Sequence, residues 1–184
     1  MRIQVVPRLL DMAGKDRKVL ILIGLSGAGK SEAGRALAKQ LGVDFVDLDE
    51  MVERRTGMTI PQIFDELGEA AFREEEHRAL EGLANINSCI IATGGGVVER
   101  PDNRQLLKKL GTVVWLRVDP AVAVERLDPQ TRPLLAQARD PVAKLEEIAS
   151  KREPLYEEIC DYRVDANRDT ERIADELQHI WNSL

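Results

Sequence analysis

The sequence predicts an α/β fold with a five-stranded parallel sheet flanked by helices. Short apolar runs rich in Val and Ile alternate with longer segments of helical period, and no hairpin signal joins two of the runs. The first run, residues 19–23, is apolar at every position, as expected of a strand that is buried on both faces. A chain of 184 residues has the length of one domain, so we expect a single sheet.

The elements can be placed in order along the chain because Gly and Pro mark many of their boundaries. Gly42 follows the first helix, and Pro120 and Pro141 each come directly after an aspartate that can cap a helix. Residues 1–17 lack a regular period, and we expect them to form a loosely ordered arm before a single domain of residues 18–184. The predicted strands cover residues 19–23, 43–48, 89–92, 112–118 and 163–165, and the predicted helices cover residues 29–41, about 49–88 with a break near 56–57, segments that start at 120 and 141, and 170–181.

Charge and cysteine content exclude several classes of protein. The chain carries 26 Lys and Arg against 32 Asp and Glu, a net charge of −6, which argues against general binding to nucleic acid or to an anionic membrane. No apolar run is long enough to span a bilayer, and the N-terminus lacks the apolar segment of a signal peptide. Cys89 and Cys160 form no CxxC pair, so we expect no zinc site and no disulfide framework, and a cytoplasmic protein.

A phosphate-binding motif follows the first strand. Residues 24–31 read Gly-Leu-Ser-Gly-Ala-Gly-Lys-Ser, which is the P-loop pattern G-x-x-x-x-G-K-S between a strand and a helix. Its glycines let successive N–H groups point at phosphate oxygens, Lys30 reaches the β- and γ-phosphates, and the Ser31 hydroxyl is a ligand for Mg²⁺. The residue frequencies of this chain give about 0.002 chance matches, so the motif predicts a bound nucleotide.

Three further features narrow the reaction to phosphoryl transfer. Asp47 and Asp49 are predicted to end the second strand on one face, where one carboxylate serves Mg²⁺ and the other the acceptor hydroxyl. The Gly94–Gly96 triplet after the third strand allows a ligand to approach the backbone closely. Residues 126–135, with two arginines and Pro129, predict a mobile flap that can bring an arginine to the transferred phosphate.

Taken together, these residues resemble the shikimate kinase family from about residue 19 to residue 177. The resemblance implies the fold of the nucleoside-monophosphate-kinase group, with a shikimate-binding region at about 49–80 and a lid at about 125–137. It also implies transfer of the γ-phosphate of ATP to the 3-hydroxyl of shikimate, in the cytoplasm, on the route to chorismate and the aromatic amino acids. Beyond the P-loop, it rests on Asp47-Leu-Asp49, residues 63–73, Gly94–Gly96, Arg132-Pro-Leu-Leu and Arg152-Glu-Pro-Leu-Tyr156.

The resemblance also implies a role for each candidate residue, in an enzyme that works as a monomer with Mg²⁺ and ATP. Lys30, Asp49 and Arg132 would be catalytic, with Asp49 as the base. Ser31 and Asp47 would hold Mg²⁺. The implied ATP-binding residues are Gly27, Ala28, Gly29, Lys30, Ser31, Glu32, Arg126 and Arg132, and the implied shikimate-binding residues are Asp49, Arg73, Gly95, Gly96, Arg152, Phe64, Phe72, Pro133 and Leu134. Glu32 departs from the Thr that is frequent in the family, and we expect its side chain to point to solvent.

Two alternatives stay open at this stage. Another small-molecule kinase, such as a gluconate or nucleotide kinase, would keep the P-loop and the lid but change the acceptor site. The Asp-Gly-x-Pro-Arg stretch of adenylate-kinase-like enzymes is absent from the sequence. A catalytically silent P-loop protein that acts as a regulatory module is the second alternative, although Lys30, Asp49 and the arginines are all present.

Overall fold

A computed structural model describes residues 18–184, and the arm predicted at residues 1–17 lies outside this range. The described residues form a five-stranded parallel sheet in the order β2-β3-β1-β4-β5, which confirms the predicted fold class. The order itself could not be deduced from the sequence pattern. The strands are β1 (Val19–Ile23), β2 (Asp44–Asp47), β3 (Cys89–Ala92), β4 (Thr112–Arg117) and β5 (Tyr162–Asp165).

The central strand β1 explains why the carboxyl ends of the strands meet at one place. All five of its residues are buried, and it pairs with β3 on one side and β4 on the other. The Thr93 hydroxyl, just past β3, donates to Leu22 O over 3.0 Å and so ties the end of β3 to β1. Loops that leave these strands therefore come together at one edge, where ligands bind in open parallel sheets.

The helices pack against this sheet and against one another, with α1 against α8 and α5 against α7. Most of the predicted helices are confirmed, whereas α4 was not predicted. Two short 3-10 turns, Val97–Glu99 and Pro129–Thr131, complete the fold. The helices are α1 (Lys30–Leu41), α2 (Leu48–Thr56), α3 (Ile60–Glu81), α4 (Pro101–Leu110), α5 (Pro120–Glu125), α6 (Pro133–Ala136), α7 (Pro141–Ile159) and α8 (Thr170–Ser183).

One boundary differs from its prediction at a functionally important point. Strand β2 ends at Asp47, and Asp49 lies in the first turn of α2, so the expectation that both aspartates share one face of a strand is wrong. The reason is that Asp47 caps the helix: its Oδ1 accepts from the N–H groups of Asp49 at 3.0 Å and Glu50 at 3.4 Å. An aspartate that satisfies two free N–H groups starts a helix in place of further strand.

Helix α3 has a kink at Gly68, whose φ of 84° is outside the helical region. The helix begins with a capping box in which the Thr59 side chain and Gln62 satisfy each other's backbone N–H groups. Its second half buries Phe72, Glu76 and Leu80 on one face, as their spacing predicts. Within residues 18–184, no helix combines the length and the apolar character needed to cross a membrane.

Candidate active site

The P-loop joins β1 to α1 and needs glycine at two positions for steric reasons. Gly24 has a φ of 138°, and a Cβ atom there would lie 2.4 Å from Leu116 O. Gly27 has a φ of 82°, and a Cβ atom there would lie 2.4 Å from Ala123 O. Any other residue would therefore clash with the backbone at the end of β4 or in α5. The P-loop therefore packs closely against Leu116 and Ala123 through Gly24 and Gly27.

Lys30 lies in the concave side of this loop and is 8% exposed. Its Nζ donates to Gly24 O at 2.8 Å and to Leu25 O at 2.7 Å, both in the loop itself. Burial lowers the pKa of Lys30 to about 8, with nearby Arg132 adding to the shift and Asp49 opposing it. The ammonium group is therefore already removed from water before a nucleotide binds.

Ser31 and Asp47 form a pair of oxygen donors at the first turn of α1. The Ser31 hydroxyl donates to Asp47 Oδ2 over 2.6 Å, while Oδ1 of the same carboxylate caps α2. The carboxylate is thus fixed by contacts to both of its oxygens. A hydroxyl beside a carboxylate is the donor set that Mg²⁺ takes in P-loop proteins, where phosphates and water complete the coordination.

Asp49 points toward the loop that follows β3. Burial raises the pKa of its carboxyl group, and the neighbouring charge of Asp47 raises it further, against the effects of Lys30, Arg132 and Arg73. Its Oδ1 is buried without a hydrogen-bond partner among the described residues. A Cβ atom at Gly94 would lie 2.7 Å from this oxygen, so glycine is required there. An oriented, uncompensated carboxylate oxygen is suited to accept a hydrogen bond or a proton from a ligand.

A cleft of about 590 Å³ opens from the P-loop. Nine of the predicted site residues line it, and Gly95 is one of them. The loop before α8 contributes residues that were not predicted. The lining residues are Ser26, Gly27, Gly29, Lys30, Ser31, Glu32, Asp49, Thr93, Gly95, Arg126, Leu127, Asp128, Arg132, Arg168, Asp169, Thr170 and Ile173.

Three predicted nucleotide contacts have additional partners in the chain. Arg126, expected beside adenine, donates to Ala166 O at 2.6 Å and to Arg168 O at 2.8 Å. Glu32 is exposed as expected, but it also accepts from the Thr170 hydroxyl at 3.4 Å. Ala28 is fully buried and its N–H donates to Leu25 O at 3.2 Å, so it shapes the loop and does not line the cleft.

The predicted lid contains the 3-10 turn Pro129–Thr131 and helix α6, and α6 packs against α3 and α7. Arg132 is the residue that precedes α6, and its carbonyl accepts from the N–H groups of Leu135 and Ala136. Its Nε is buried without a partner among the described residues. This arginine reaches the cleft near Lys30, whose pKa it lowers.

Arg73, on α3, lies among carboxylates on the far side of the Gly94–Gly96 loop. Its guanidinium donates to Glu76 Oε2 at 3.1 Å and to Glu69 Oε1 at 2.9 Å. Residues three apart on a helix are neighbours, so the ion pair with Glu76 follows from the positions of both residues on α3. Burial raises the pKa of Glu76 to about 7 against the opposing effect of Arg73. A Cβ atom at Gly96 would lie 2.3 Å from the same guanidinium, so the loop touches Arg73 directly.

Arg152, on α7, comes to the same loop from the other side and is 5% exposed. Its Nε donates to Glu99 Oε1 over 2.9 Å, and the second oxygen of Glu99 lies 3.5 Å from a terminal nitrogen of Arg73. A Cβ atom at Gly95 would lie 3.5 Å from a terminal nitrogen of Arg152. The two predicted substrate-binding arginines are therefore neighbours, bridged by one carboxylate.

Tyr156 supports the Gly94–Gly96 loop: its hydroxyl donates to Gly95 O over 2.5 Å. Its side chain is fully buried and packs against Trp115, with ring centroids 5.7 Å apart. In a trans peptide the N–H points away from the preceding carbonyl, so this contact directs the Gly96 N–H away from Tyr156. The sequence motif contains Tyr156, but its role depends on a contact between residues 61 positions apart.

The predicted apolar walls are less completely assembled than the charged groups. Phe64 and Phe72 lie in contact, with ring centroids 5.0 Å apart, and the Arg73 guanidinium lies 5.1 Å from the Phe72 ring. Phe72 is mostly covered, whereas Pro133 and Leu134 in α6 are half-buried. None of these four side chains lines the cleft described above.

Comparisons with known proteins point to one family. The shikimate kinase family model matches residues 26–181. A shikimate kinase from Thiobacillus denitrificans is 44% identical over 153 residues, which are 83% of this chain and 83% of that protein. The structure of a shikimate kinase from Acinetobacter baumannii in complex with shikimate has a TM-score of 0.86 at 37% identity, over 91% of this chain and 94% of that one. A deoxyadenosine kinase from M. mycoides, with a TM-score of 0.59 at 15% identity, shares the fold alone.

Proposed function

The chain belongs to the shikimate kinase family, and we infer that it transfers the γ-phosphate of ATP to the 3-hydroxyl of shikimate, giving shikimate 3-phosphate and ADP. This activity serves aromatic amino-acid biosynthesis. One observation carries the inference to this chain: Gly95 lines the P-loop cleft, Arg152 lies beside it, and Arg73 lies beside the next residue, Gly96. Phosphate-binding groups and carboxylate-binding groups thus lie at the two ends of one site, as a kinase for a small acid requires.

The phosphate end would bind ATP through Gly27, Gly29 and the N–H groups at the start of α1, where the helix dipole favours an anion. Lys30 and Arg132 would neutralise the charge that spreads over the oxygens of the transferred phosphoryl group. Arg126 and Glu32 line the part of the cleft beyond the P-loop and are the proposed contacts to the rest of the nucleotide. On binding, Lys30 would exchange its two carbonyl acceptors for phosphate oxygens.

Asp49 is the proposed base for the attacking hydroxyl. The buried, unpartnered Oδ1 supports this role, because a hydroxyl placed there would complete the missing hydrogen bond. The raised pKa brings the carboxyl group nearer to the working pH, while Lys30 and Arg132 favour its ionised form. Phosphoryl transfer needs little from a base beyond orientation of the nucleophile, and the fixed position in α2 supplies that.

The residues present fit a magnesium ion, because the Ser31 hydroxyl and the Asp47 carboxylate are held 2.6 Å apart beside the P-loop. We propose that these two residues hold Mg²⁺, Asp47 either directly or through water. Mg²⁺ held there would supply positive charge that offsets the charge on the phosphates. The chain's own part is to keep the Asp47 carboxylate in place, which the helix cap does.

At the acceptor end, Arg73 and Arg152 would bind the shikimate carboxylate, and the N–H groups of Gly95 and Gly96 would donate to the substrate. Phe64, Phe72, Pro133 and Leu134 are proposed as the apolar wall, completed when residues 125–137 close over the site. This closure and the shikimate-binding region at 49–80 are proposals from the family resemblance. Every group named here comes from one chain, and we propose that the protein acts as a monomer in the cytoplasm.

The test is ADP release with Mg-ATP and separate acceptors: shikimate, quinate, gluconate and nucleoside monophosphates. Turnover with shikimate alone supports the proposal. Turnover with another acceptor and not with shikimate would keep the P-loop assignment and refute the acceptor site. ATP binding without turnover of any acceptor would indicate a regulatory module.

A further inference from the structure

Glu99 has a position that the proposed catalytic cycle does not use. One oxygen of its carboxylate accepts from Arg152 Nε at 2.9 Å, and the other lies 3.5 Å from a terminal nitrogen of Arg73. These are the two arginines proposed to bind the carboxylate of the substrate. Glu99 bridges them with one oxygen to each, which is an arrangement that a bound carboxylate ligand would also adopt.

The backbone of Glu99 is held firmly in place. Its N–H donates to Gly96 O at 3.0 Å. Arg104 donates to Val98 O at 2.8 Å, and the buried Asn103 donates to Val97 O at 3.0 Å. The 3-10 turn that carries Glu99 is thus fixed by side chains of α4, so a change in its contacts must come from rotation of the side chain.

Among the acidic partners of Arg73, Glu99 combines an exposed side chain with a contact to both arginines. Glu69 is also exposed, at 46%, but its ion pair is with Arg73. Glu99 is 41% exposed and has water on one side, whereas Glu76 is fully buried beneath the same guanidinium. Glu76 has no adjacent solvent into which its side chain could rotate without rearrangement of the surrounding core. Moving Glu99 out returns its carboxylate to solvent, while the arriving substrate carboxylate takes its place as the partner of the buried Arg152.

Charge balance favours the release of one carboxylate from the arginines when an acid binds. Arg73 and Arg152 face Glu69, Glu76 and Glu99 within 3.5 Å, so two positive charges already meet three carboxylates. An anionic substrate would add a further negative charge to a cluster that is not positive. The cluster accepts that charge more readily if the Glu99 carboxylate leaves as the substrate carboxylate arrives.

We propose that Glu99 is an internal competitor for the acid-binding arginines: it occupies the Arg73–Arg152 pair in the absence of substrate and is displaced by the substrate's carboxylate. This inference rests on the proposed function, because it takes shikimate as the acid. It makes Glu99 a determinant of substrate affinity that acts through two arginines. Glu99 keeps the pair neutralised and correctly spaced until substrate binds.

The test compares wild type with Glu99→Gln and, as a control, Asp102→Asn. Gln keeps an oxygen that can accept from Arg152 Nε but removes the charge. Asp102 is 67% exposed and lies near Arg100, so its variant repeats the charge change away from the arginine pair. Shikimate binding is measured by calorimetry, turnover is measured separately, and thermal unfolding verifies that each variant is folded.

We expect Glu99→Gln to lower the Kd and KM for shikimate about 3–10-fold. We expect kcat and the KM for ATP to stay within about two-fold, and Asp102→Asn to match wild type. A purely structural role predicts the opposite sign, because loss of a supporting contact weakens binding. A second variant, Glu99→Ala, is expected to tighten shikimate binding as well.

The results that would overturn the role of Glu99 differ from those that would refute the proposed function. An unchanged Kd would show that Glu99 does not compete, and a raised Kd would make it a positioning residue for Arg152; either result overturns the inference. Absence of turnover by wild type would refute the proposed function, while the calorimetric comparison would still test Glu99. Absence of shikimate binding by every variant would refute both.

Discussion

The two ends of the site hold their positive charges in different ways. At the phosphate end, Lys30 is held by two neutral carbonyl oxygens of the loop that it belongs to. At the acceptor end, here called the acid end, Arg73 and Arg152 are held by carboxylates. Two of these come from α3, which also carries Arg73, and the third comes from the 3-10 turn Val97–Glu99. Burial lowers the pKa of Lys30 to about 8. The arginines, by contrast, have counter-charges before any ligand arrives.

This difference has a consequence for the two ligands. A buried cation whose hydrogen bonds go to neutral carbonyls gains strongly from an incoming phosphate, because the phosphate adds a directly hydrogen-bonded negative charge. A cation that already has carboxylate partners gains only the difference between the new partner and the old one. The phosphate end is therefore suited to stabilise charge in the transition state. The acid end is suited to select and exchange a small carboxylate.

The strongest way to test the phosphate end is Arg132→Ala. Arg132 reaches the cleft beside Lys30, and its Nε is buried without a partner. We expect kcat to fall about 10³-fold, because an arginine on the transferring phosphoryl group contributes on this scale. Steady-state kinetics with Arg139→Ala, an exposed arginine in the same region, as the control would check this. An unchanged kcat for Arg132→Ala would remove it from the transition state.

The clustered carboxylates at the acid end are expected to make the free energy of unfolding depend on pH. Burial raises the pKa of Glu76 to about 7, above its value in the unfolded chain. The folded state therefore holds this proton more tightly, and its ionisation destabilises the fold progressively from about pH 4.5 to pH 7. Glu76→Gln lacks this penalty, so we expect it to gain roughly 2–3 kcal/mol relative to wild type between pH 5 and pH 8.

Denaturant unfolding at both pH values measures this gain. Glu66→Gln is the matched control, since Glu66 is exposed on the same helix. Parallel stability curves for wild type and Glu76→Gln would show that Glu76 does not titrate in this range, and would contradict the account of a crowded acid end.

A conservative change at Arg73 distinguishes an effect on the affinity for shikimate from an effect on the phosphoryl-transfer step. Arg73→Lys retains the charge but loses the planar fork that reaches Glu69, Glu76 and Glu99. We expect the KM for shikimate to rise about 30-fold, while kcat and the KM for ATP change by less than about three-fold. Arg78→Lys, a 53% exposed site on the same helix, serves as the control. An effect confined to the KM for ATP would refute the carboxylate clamp.

The smallest expected effect concerns the loop between the two ends. Tyr156→Phe removes the 2.5 Å hydrogen bond to Gly95 O and leaves that peptide less well oriented. We expect a rise of about 3–10-fold in the KM for shikimate and a loss of about 1 kcal/mol in the free energy of unfolding. Tyr162→Phe, at a 40% exposed position, is the matched control. Kinetics identical to wild type would mean that the Gly95–Gly96 peptide needs no support.

The phosphate end could be predicted from sequence because its residues are contiguous. Gly24 and Gly27 are required by the backbone geometry of one turn, and Lys30, in fixed spacing from them, donates to a carbonyl of the same turn. The prediction placed Asp49 at the cleft and Asp47 beside Ser31, as the structure does, but for the wrong reason. Alternation along a strand was assumed, whereas the Asp47 side chain ends the strand and starts α2.

The acid end was predictable only through the family resemblance and the short spacing between Arg73 and Glu76. Glu99 had no signal of its own, since its partners lie 26 and 53 residues away in the sequence. The loop before α8 was missed for a similar reason. Arg168 and Thr170 reach the cleft because β5 is the neighbour of β4, and a sequence pattern does not give the strand order.

Removing the charge from the substrate tests most directly whether two arginines select an acid beside the P-loop. Turnover by the wild-type protein is measured with shikimate and with shikimate methyl ester, which keeps the ring and its hydroxyls. We expect the KM for the ester to be at least about 30-fold higher, with kcat within about three-fold, because the ester loses the charge-assisted hydrogen bonds. Equal KM values for the acid and the ester would contradict the account.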